Sequence, residues 1–246
     1  MKKITFFALL VLFMLSCTTK PTRIICIGDS ITEGAGIYKQ NINSYPALLD
    51  SLLGENYQVV NSGRGGTSLQ KQGDFSYWNT KEFTNNFAYE PDMVIIKIGT
   101  NDTKPQNWNS ERFEADYQAL IDTLRTMPTN PEIIMCIPVP VFATQWGIND
   151  STLNVGVIPV IKQIAEKNNI QLIDLNTPLK NSHELFPDNI HPNENGALAI
   201  AEIIAGFIKK IDYKTYSRYN LYFRNKSITL NINHLKQNQN NFRYLV

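Results

Sequence analysis

The chain has 246 residues, of which 43% are hydrophobic and 18% are charged, and its formal net charge is +1. Residues 1–16 hold two lysines, and residues 211–246 hold six basic residues and one acidic residue, so residues 17–210 carry a formal charge of about −6. This balance excludes a basic nucleic-acid-binding domain, and the length is that of one domain with a sizeable core.

The N-terminus predicts an export signal. Two lysines precede an apolar run over 4–15, which is shorter than the roughly 20 residues of a membrane-spanning helix, and a serine and Cys17 follow. This ending resembles a bacterial lipoprotein signal, in which residues 1–16 are removed, Cys17 is lipidated and 17–22 form a short linker. The alternative is an ordinary secretory signal with an incidental Cys17. We expect an exported protein, lipid-anchored to a bacterial membrane in the periplasm or at the cell surface.

Strand-like and helix-like segments then alternate along residues 23–210. Short apolar runs predict five strands, over 24–27, 57–60, 93–98, 132–137 and 170–173. Helical spacing predicts helices over 44–54, from 109 or 110 to 124, over 151–167 and over 193–210. Gly156 and Pro159 fall inside the third helix, which we expect to be bent or to start late. Alternation and continuously apolar strands indicate an α/β fold with a parallel sheet buried on both faces.

Residues 211–246 differ in composition from the rest of the chain. They are rich in Asn, Tyr and basic residues and have no clear period. We predict that this tail is poorly ordered, because it has no anchoring pattern. An added strand pair at the sheet edge and an interaction arm are the alternatives. Export argues against a contact between this basic, aromatic tail and nucleic acid.

Four polar segments carry the chemistry. Three directly follow predicted strands: Gly28-Asp29-Ser30, the glycine-rich 61–66, and Gly99-Thr100-Asn101-Asp102. Because the carboxyl ends of parallel strands meet at the edge where open α/β sheets bind ligands, we expect these segments to line one crevice. In the fourth segment, Asp188 precedes His191 by three residues, so its carboxylate can hold the imidazole. A hydroxyl, glycine amides, a side-chain amide and an Asp/His pair are the parts of an acyl-transfer site.

Ser30 is the candidate nucleophile. The alternative is a helix cap at a strand–helix turn, and Asp29 is expected to hold that turn. The surrounding sequence is not the Gly-x-Ser-x-Gly elbow of α/β-hydrolases, because Thr32 stands where the second glycine would be.

His191 is the candidate base, with a helix cap as the alternative. Of the other histidines, His183 lies in a polar loop, where we expect it to be solvated, and His234 lies in the tail. Asp188 is the candidate acid. Asp174, at the end of the fifth strand, is its rival.

Gly66 and Asn101 are the candidate oxyanion donors. Glycine lets the backbone approach an oxygen closely, and an Asn amide can donate where negative charge develops. For the glycines of 61–66 the alternative is a flexible turn. A phosphate-binding loop is also conceivable, but the Gly-x-x-x-x-Gly-Lys-Ser/Thr pattern is absent from the sequence.

Together, the four segments resemble the SGNH hydrolases, also called the GDSL esterase family, over residues 23–210. The family's Ser, Gly, Asn and His match Ser30, Gly66, Asn101 and His191, and its acid matches Asp188. Ile31 stands where the eponymous motif has Leu, away from the chemistry. The resemblance implies a three-layer α/β/α sandwich with a five-stranded parallel sheet in the order 2-1-3-4-5. It also implies a serine esterase that works through an acyl-enzyme and needs no metal or cofactor, with an oxyanion hole of the Ser30 and Gly66 N–H groups and the Asn101 side chain.

In that sheet order, one strand separates Cys26 from Cys136. Their Cα atoms are then expected about 9.6 Å apart, from a strand spacing near 4.8 Å. A disulfide requires about 7 Å or less. We therefore predict two buried free thiols.

The implied activity is hydrolysis of short-chain esters, O-acetyl esters on carbohydrates in particular. Residues 99–108 resemble family members described as sialate O-acetylesterase-like or as acetyl esterases of plant polysaccharides. Trp108 and Trp146 are expected to stack on sugars, or else to pack their loops. The alternatives are a lysophospholipase or thioesterase of the same family and a non-catalytic glycan-binding module. The expected partner is a small-molecule or glycan ester, without nucleic acid and with a lipid anchor as the sole membrane contact.

Overall fold

The computed structural model describes residues 20–209. The predicted signal over 1–16, the predicted lipidation site Cys17 and the tail over 211–246 lie outside the described residues. Within 20–209, no helix is both long enough and apolar enough to span a bilayer.

A five-stranded parallel sheet forms the centre of the fold. Its strands are β1 (Thr22–Gly28), β2 (Tyr57–Gly63), β3 (Met93–Lys97), β4 (Glu132–Ile137) and β5 (Gln171–Asp174). Their order is β2-β1-β3-β4-β5, which confirms the predicted topology. Ile24 is in register with Val59 of β2 and with Met93 of β3, so β1 lies between those two strands. The loop that follows β1 is therefore flanked by the loops that follow β2 and β3.

Helices cover both faces of the sheet and complete a three-layer sandwich. They are α1 (Ser30–Glu33), α2 (Gln40–Asn43), α3 (Tyr45–Leu53), α4 (Lys81–Tyr89), α5 (Ser110–Arg125), α6 (Asp150–Thr152), α7 (Ile158–Asn168) and α8 (Glu194–Ile208). The apolar residues of α3 and α8 pack on one face, and those of α4, α5 and α7 pack on the other. Along β1, Ile24 and Cys26 face the first core, whereas Ile25 and Ile27 face the second. This period of two explains why the strands are apolar throughout.

The two cysteines of this region lie in the core beneath α3 and α8. Cys26 in β1 and Cys136 in β4 are buried free thiols, with β3 between their strands.

Helical backbone runs from Asp150 to Asn168, so the predicted helix over 151–167 does not start late but changes its hydrogen-bond pattern partway along. A π-helical segment, Leu153–Val157, separates α6 from α7, and Pro159 lies in the first turn of α7. Trp108 packs against this segment at Gly156, where a Cβ atom would lie 2.5 Å from the Trp108 Cζ2 atom. Gly156 therefore makes room for the indole ring.

Other elements differ from their predicted limits. β2 runs three residues further than predicted, because the Ser62 hydroxyl is buried with a hydrogen bond to Asn86 Oδ1 at 2.6 Å. α4 was not predicted, since Phe83 and Phe87 are the two large apolar residues that turn inward from an otherwise polar helix. Ser44 occupies the N-cap of α3 without a capping hydrogen bond, and its hydroxyl accepts from the Asn61 amide at 3.3 Å.

Candidate active site

Ser30 lies at the first turn after β1, at the carboxyl edge of the sheet. Asp29 caps α1, since its Oδ1 atom accepts from the Ile31 N–H at 3.0 Å. The turn is so tight that a Cβ atom at Gly28 would collide with the Thr32 hydroxyl. Ser30 itself is 8% exposed. The expected role of Asp29 in holding this turn agrees with these contacts.

A buried ion pair lies directly behind Ser30. The Lys97 ammonium is 2.9 Å from Asp29 Oδ1 and 3.2 Å from Oδ2, and it donates to the Thr100 hydroxyl at 3.3 Å. Both charged side chains are fully buried. Burial lowers the pKa of Lys97, and the Asp29 charge opposes that shift. Lys97 was predicted only as part of an apolar strand, although a charge within such a run was the available signal for this pair.

A chain of hydrogen bonds joins Ser30, His191 and Asp188. The Ser30 Oγ and His191 Nε2 atoms are 2.8 Å apart, and His191 Nδ1 is 2.8 Å from Asp188 Oδ2. A carboxylate can only accept, so Nδ1 carries the proton and leaves Nε2 to accept from the hydroxyl. The three side chains thus form a continuous hydrogen-bonded chain, which is the geometry that a Ser-His-Asp triad requires.

Asp188 is held as a carboxylate by its own loop. Partial burial favours the neutral acid, but hydrogen bonds from the His191 N–H, the imidazole and the Ile190 N–H outweigh it and lower the pKa of Asp188. The ionised form therefore persists to lower pH than in an isolated aspartate. It can also stabilise an imidazolium when one forms.

The loop that carries this pair is braced by His183. Its Nε2 atom is 2.7 Å from Asn189 Oδ1, and its ring stacks on Phe142 with centroids 4.9 Å apart. Asn189 has a φ of 69°, in the left-handed region that Asn tolerates. His183 was expected to be merely solvated, so its contact with the loop that holds Asp188 and His191 was missed.

Gly66 and Asn101 lie in loops that touch each other. The Asn101 side-chain amide donates to the Thr67 carbonyl at 3.1 Å, and the Arg64 N–H donates to the Gly28 carbonyl at 3.0 Å. These bonds seat the loop after β2 against the turn that carries Ser30. Gly66 has a φ of 80°, which a side chain would strain.

Asp102 ties the two loops together and was also missed. Its carboxylate accepts from the Leu69 N–H at 2.8 Å and from the Gln70 N–H at 3.0 Å. Complete burial outweighs these bonds and raises the pKa of Asp102 to about 6. A carboxylate next to Asn101, within the motif 99–102, was the sequence signal for this brace.

Three further candidates were Asp174, as the alternative acid, and Trp108 and Trp146, as rings that could stack on sugars. Asp174 caps the turn after β5 by accepting from the N–H groups of Asn176 and Thr177, and Asp188 is the carboxylate that meets His191. Trp108 packs its loop, with its ring centroid 5.6 Å from that of Phe113. Trp146, by contrast, is 59% exposed, and its ring centroid lies 5.6 Å from that of His191.

The fold is an α/β sandwich whose parallel sheet presents a hydroxyl, an imidazole and a carboxylate at its carboxyl edge, where open sheets of this class bind ligands. Comparison with known proteins specifies it further. The chain belongs to the GDSL-like lipase/acylhydrolase family, a family of carboxylic ester hydrolases, whose sequence model matches residues 26–199. This match confirms the resemblance inferred from the four motifs.

Two curated relatives each match about three quarters of the chain. The acetylxylan esterase of Xylanibacter ruminicola is 38% identical over an alignment of 206 positions, which covers 76% of this chain and 43% of that protein. The chain thus spans less than half the length of that relative. The rhamnogalacturonan acetylesterase RhgT of Bacillus subtilis strain 168 is 22% identical over 218 residues, covering 78% of this chain and 91% of that protein.

The fold is also that of a solved enzyme. The crystal structure of the acetyl xylan esterase AlAXEase superposes with a TM-score of 0.59 at 24% identity, covering 74% of this chain and 97% of that one. At this identity the likeness shows the three-layer fold.

Proposed function

We propose that this protein is a serine esterase that removes O-acetyl groups from carbohydrates through an acyl-enzyme on Ser30. The observation that carries the proposal is the 2.8 Å contact between Ser30 Oγ and His191 Nε2, with Asp188 behind the imidazole. The two relatives support the substrate class, since one is an acetylxylan esterase and the other a rhamnogalacturonan acetylesterase.

In the first half-reaction, the Ser30 oxygen attacks the ester carbonyl and its proton passes to His191 Nε2. The N–H groups of Ser30 and Gly66 and the Asn101 side-chain amide donate hydrogen bonds that stabilise the negative charge developing on the carbonyl oxygen. Removing one such donor typically costs about 10²–10³ in turnover. The tetrahedral intermediate then collapses, and the sugar hydroxyl leaves with the proton from His191.

In the second half-reaction, water attacks the acetyl group on Ser30. His191 takes a proton from that water and returns it to the Ser30 oxygen, which releases acetate and restores the enzyme. Asp188 remains a carboxylate throughout and stabilises the imidazolium formed in each half. The chain's own residues carry every proton.

The test is the Ser30→Ala variant. We expect it to lose hydrolysis of p-nitrophenyl acetate and release of acetate from acetylated xylan while its unfolding transition is retained, because the nucleophile is gone and its backbone is not. Ser151→Ala, an exposed position in α6, is the matched control and should retain full activity. Undiminished turnover by Ser30→Ala would overturn the proposal.

Acyl-chain length separates this function from its alternatives. Preference for p-nitrophenyl acetate over the octanoate and palmitate supports the acetylesterase. Preference for the long chains indicates a lysophospholipase or thioesterase. A folded wild-type protein that hydrolyses none of these esters, and releases no acetate from acetylated xylan or acetylated sialic acid, indicates a glycan-binding module.

We further propose that residues 1–16 direct export and that Cys17 carries the lipid anchor. The positive start, the apolar run and the cysteine that follows support this proposal. Metabolic labelling with a fatty acid should mark the wild-type protein, and Cys17→Ser should abolish the label. Equal labelling of both forms would contradict lipidation at this position.

A further inference from the structure

Two exposed aromatic rings stand at the edge of the sheet that carries Ser30. Trp146 is 59% exposed and Phe75 is 40% exposed. Trp146 belongs to the loop after β4, and Phe75 belongs to the loop after β2. Water-exposed aromatic rings beside a reactive centre indicate a surface that meets a ligand.

Trp146 is held in place by its backbone. A tight turn is closed by mutual hydrogen bonds between Gln145 and Ile148, at 2.9 and 3.3 Å. Within it Trp146 has a φ of 52°, a left-handed conformation that is costly for a bulky residue. The fold thus tolerates strain and presents the indole to solvent, 5.6 Å from the His191 ring centroid. A buried packing role would require neither the strain nor the exposure.

Phe75 is fixed as firmly on the other side. Its carbonyl accepts from the Ser68 N–H at 2.9 Å, and its N–H donates to the Asp74 carboxylate at 2.9 Å. That carboxylate is held in turn by Lys104 and Asn107. The ring lies over Gly66, where a Cβ atom would be 3.7 Å from the Phe75 Cδ1 atom, and the Arg64 guanidinium is 5.9 Å from the ring centroid. The backbone of Phe75 is therefore fixed from both sides, and its ring has Gly66 and Arg64 as neighbours.

The strand order places the two rings on opposite sides of the nucleophile. β1 and β3, which lead to Ser30 and Asn101, lie between β2 and β4 in the sheet. The strands that carry the two aromatic loops are three spacings apart, about 14 Å. The contacts of the rings place Trp146 beside His191 and Phe75 beside Gly66. An ester bound at Ser30 therefore has one aromatic ring next to the imidazole and another next to the loop that carries Gly66.

We infer that the substrate is a glycan chain bound on both sides of the ester that it loses, with Trp146 and Phe75 stacking on sugars that flank the acetylated one. The apolar face of a pyranose packs on such a ring, and residues whose backbone is fixed beforehand lose less entropy on binding. The enzyme thus acts on acetyl groups inside a chain in preference to those on single sugars. This inference rests on the proposed function and adds to it the length of substrate that the site accepts.

The test compares acetylated xylo-oligosaccharides of increasing length with p-nitrophenyl acetate. We expect kcat/KM per acetyl group to rise with chain length and to reach a plateau once both rings are covered. Trp146→Leu and Phe75→Leu should each lower the ratio of kcat/KM on the longest oligomer to that on p-nitrophenyl acetate, about three- to tenfold. Trp146→Phe and Phe75→Tyr keep a flat ring and should retain most of that ratio.

The possible failures are distinguishable. A wild-type protein that hydrolyses none of these esters contradicts the proposed function. A wild-type protein that hydrolyses p-nitrophenyl acetate but shows no dependence on chain length contradicts the two-sided binding alone. A leucine variant that matches its ring-retaining counterpart on the longest oligomer excludes that ring from substrate binding.

Discussion

At the scale of single residues, the contact between Asp188 and His191 decides how the imidazole is used. Asp188→Asn replaces an acceptor with a group that can donate, which permits the wrong tautomer and removes the charge that stabilises the imidazolium. The comparable change in a serine protease costs about 10⁴ in kcat, and we expect a loss of that order. Asp174→Asn is the matched control and should stay near wild type. A similar loss in both variants would contradict the assignment of the acid.

The buried Lys97–Asp29 pair holds the turn that carries Ser30, and its contribution to the free energy of unfolding can be measured. Lys97→Met leaves the fully buried Asp29 without its counter-charge, so the free energy of unfolding should fall by about 3–5 kcal/mol. Adding Asp29→Asn removes the uncompensated charge and should restore part of that loss. Denaturant unfolding measures both changes. Lys71→Met breaks a surface pair with Asp116 and should cost about 1 kcal/mol or less; an equally small cost for Lys97→Met would refute the role of the buried pair.

The residues of the proposed triad could be predicted from the sequence, whereas the buried residues that position their loops could not. Ser30, His191 and Asp188 stand in short motifs whose spacing alone indicates a use. Lys97 and Asp102 brace the site through contacts 68 and 33 positions away along the chain. No local pattern encodes such a partner, so these contacts emerge only when the strands are placed side by side.

At the scale of elements, the strands were the most predictable feature, because burial on both faces makes them continuously apolar. Their ends were less predictable: β2 continues through Ser62, whose hydroxyl is hydrogen-bonded to the hydroxyl of Tyr77, before α4, and to Asn86 Oδ1, within α4. α4 itself was missed because a short helix with two inward aromatic residues gives a weak periodic signal. An irregularity in the helix over 151–167 was foreseen from Gly156 and Pro159, whereas its start at Asp150 and the π-helical form of Leu153–Val157 were not.

The packing of that π-helical segment against Trp108 depends on Gly156, which has no side chain. In Gly156→Ala the new methyl group would press on Trp108 at 2.5 Å, and we expect a loss of about 1–3 kcal/mol in unfolding free energy. Thermal or denaturant unfolding is the measurement. Val155→Ala, one residue earlier and 77% exposed, is the matched control and should have little effect. Equal stabilities for the two variants would show that the indole moves aside without cost.

At the scale of the whole molecule, the free energy of unfolding should depend on pH because of the buried Asp102. Its pKa is about 6 in the folded protein, against about 3.9 in an unfolded chain. As pH rises between these values, the unfolded chain releases its proton first, so this group's contribution to the free energy of unfolding falls by up to about 3 kcal/mol.

The pH effect can be isolated by difference. The residue at 102 does not titrate in Asp102→Asn, so the wild-type unfolding free energy minus that of the variant should be smaller at pH 7 than at pH 4. Urea unfolding of both proteins at the two pH values measures it. The exposed Asp122→Asn should not reproduce this fall. A difference that stays constant or grows with pH would contradict the raised pKa.

The burial of the two thiols beneath α3 and α8 bears on the export that we propose for this protein. Burial raises the pKa of Cys136 to about 12 and that of Cys26 further, so neither presents the thiolate that oxidants and alkylating reagents attack. The folded domain can therefore reside in an oxidising compartment with both sulfhydryls chemically silent. Each thiol becomes reactive only when the core layer beneath α3 and α8 opens, so the reaction of either thiol reports that opening.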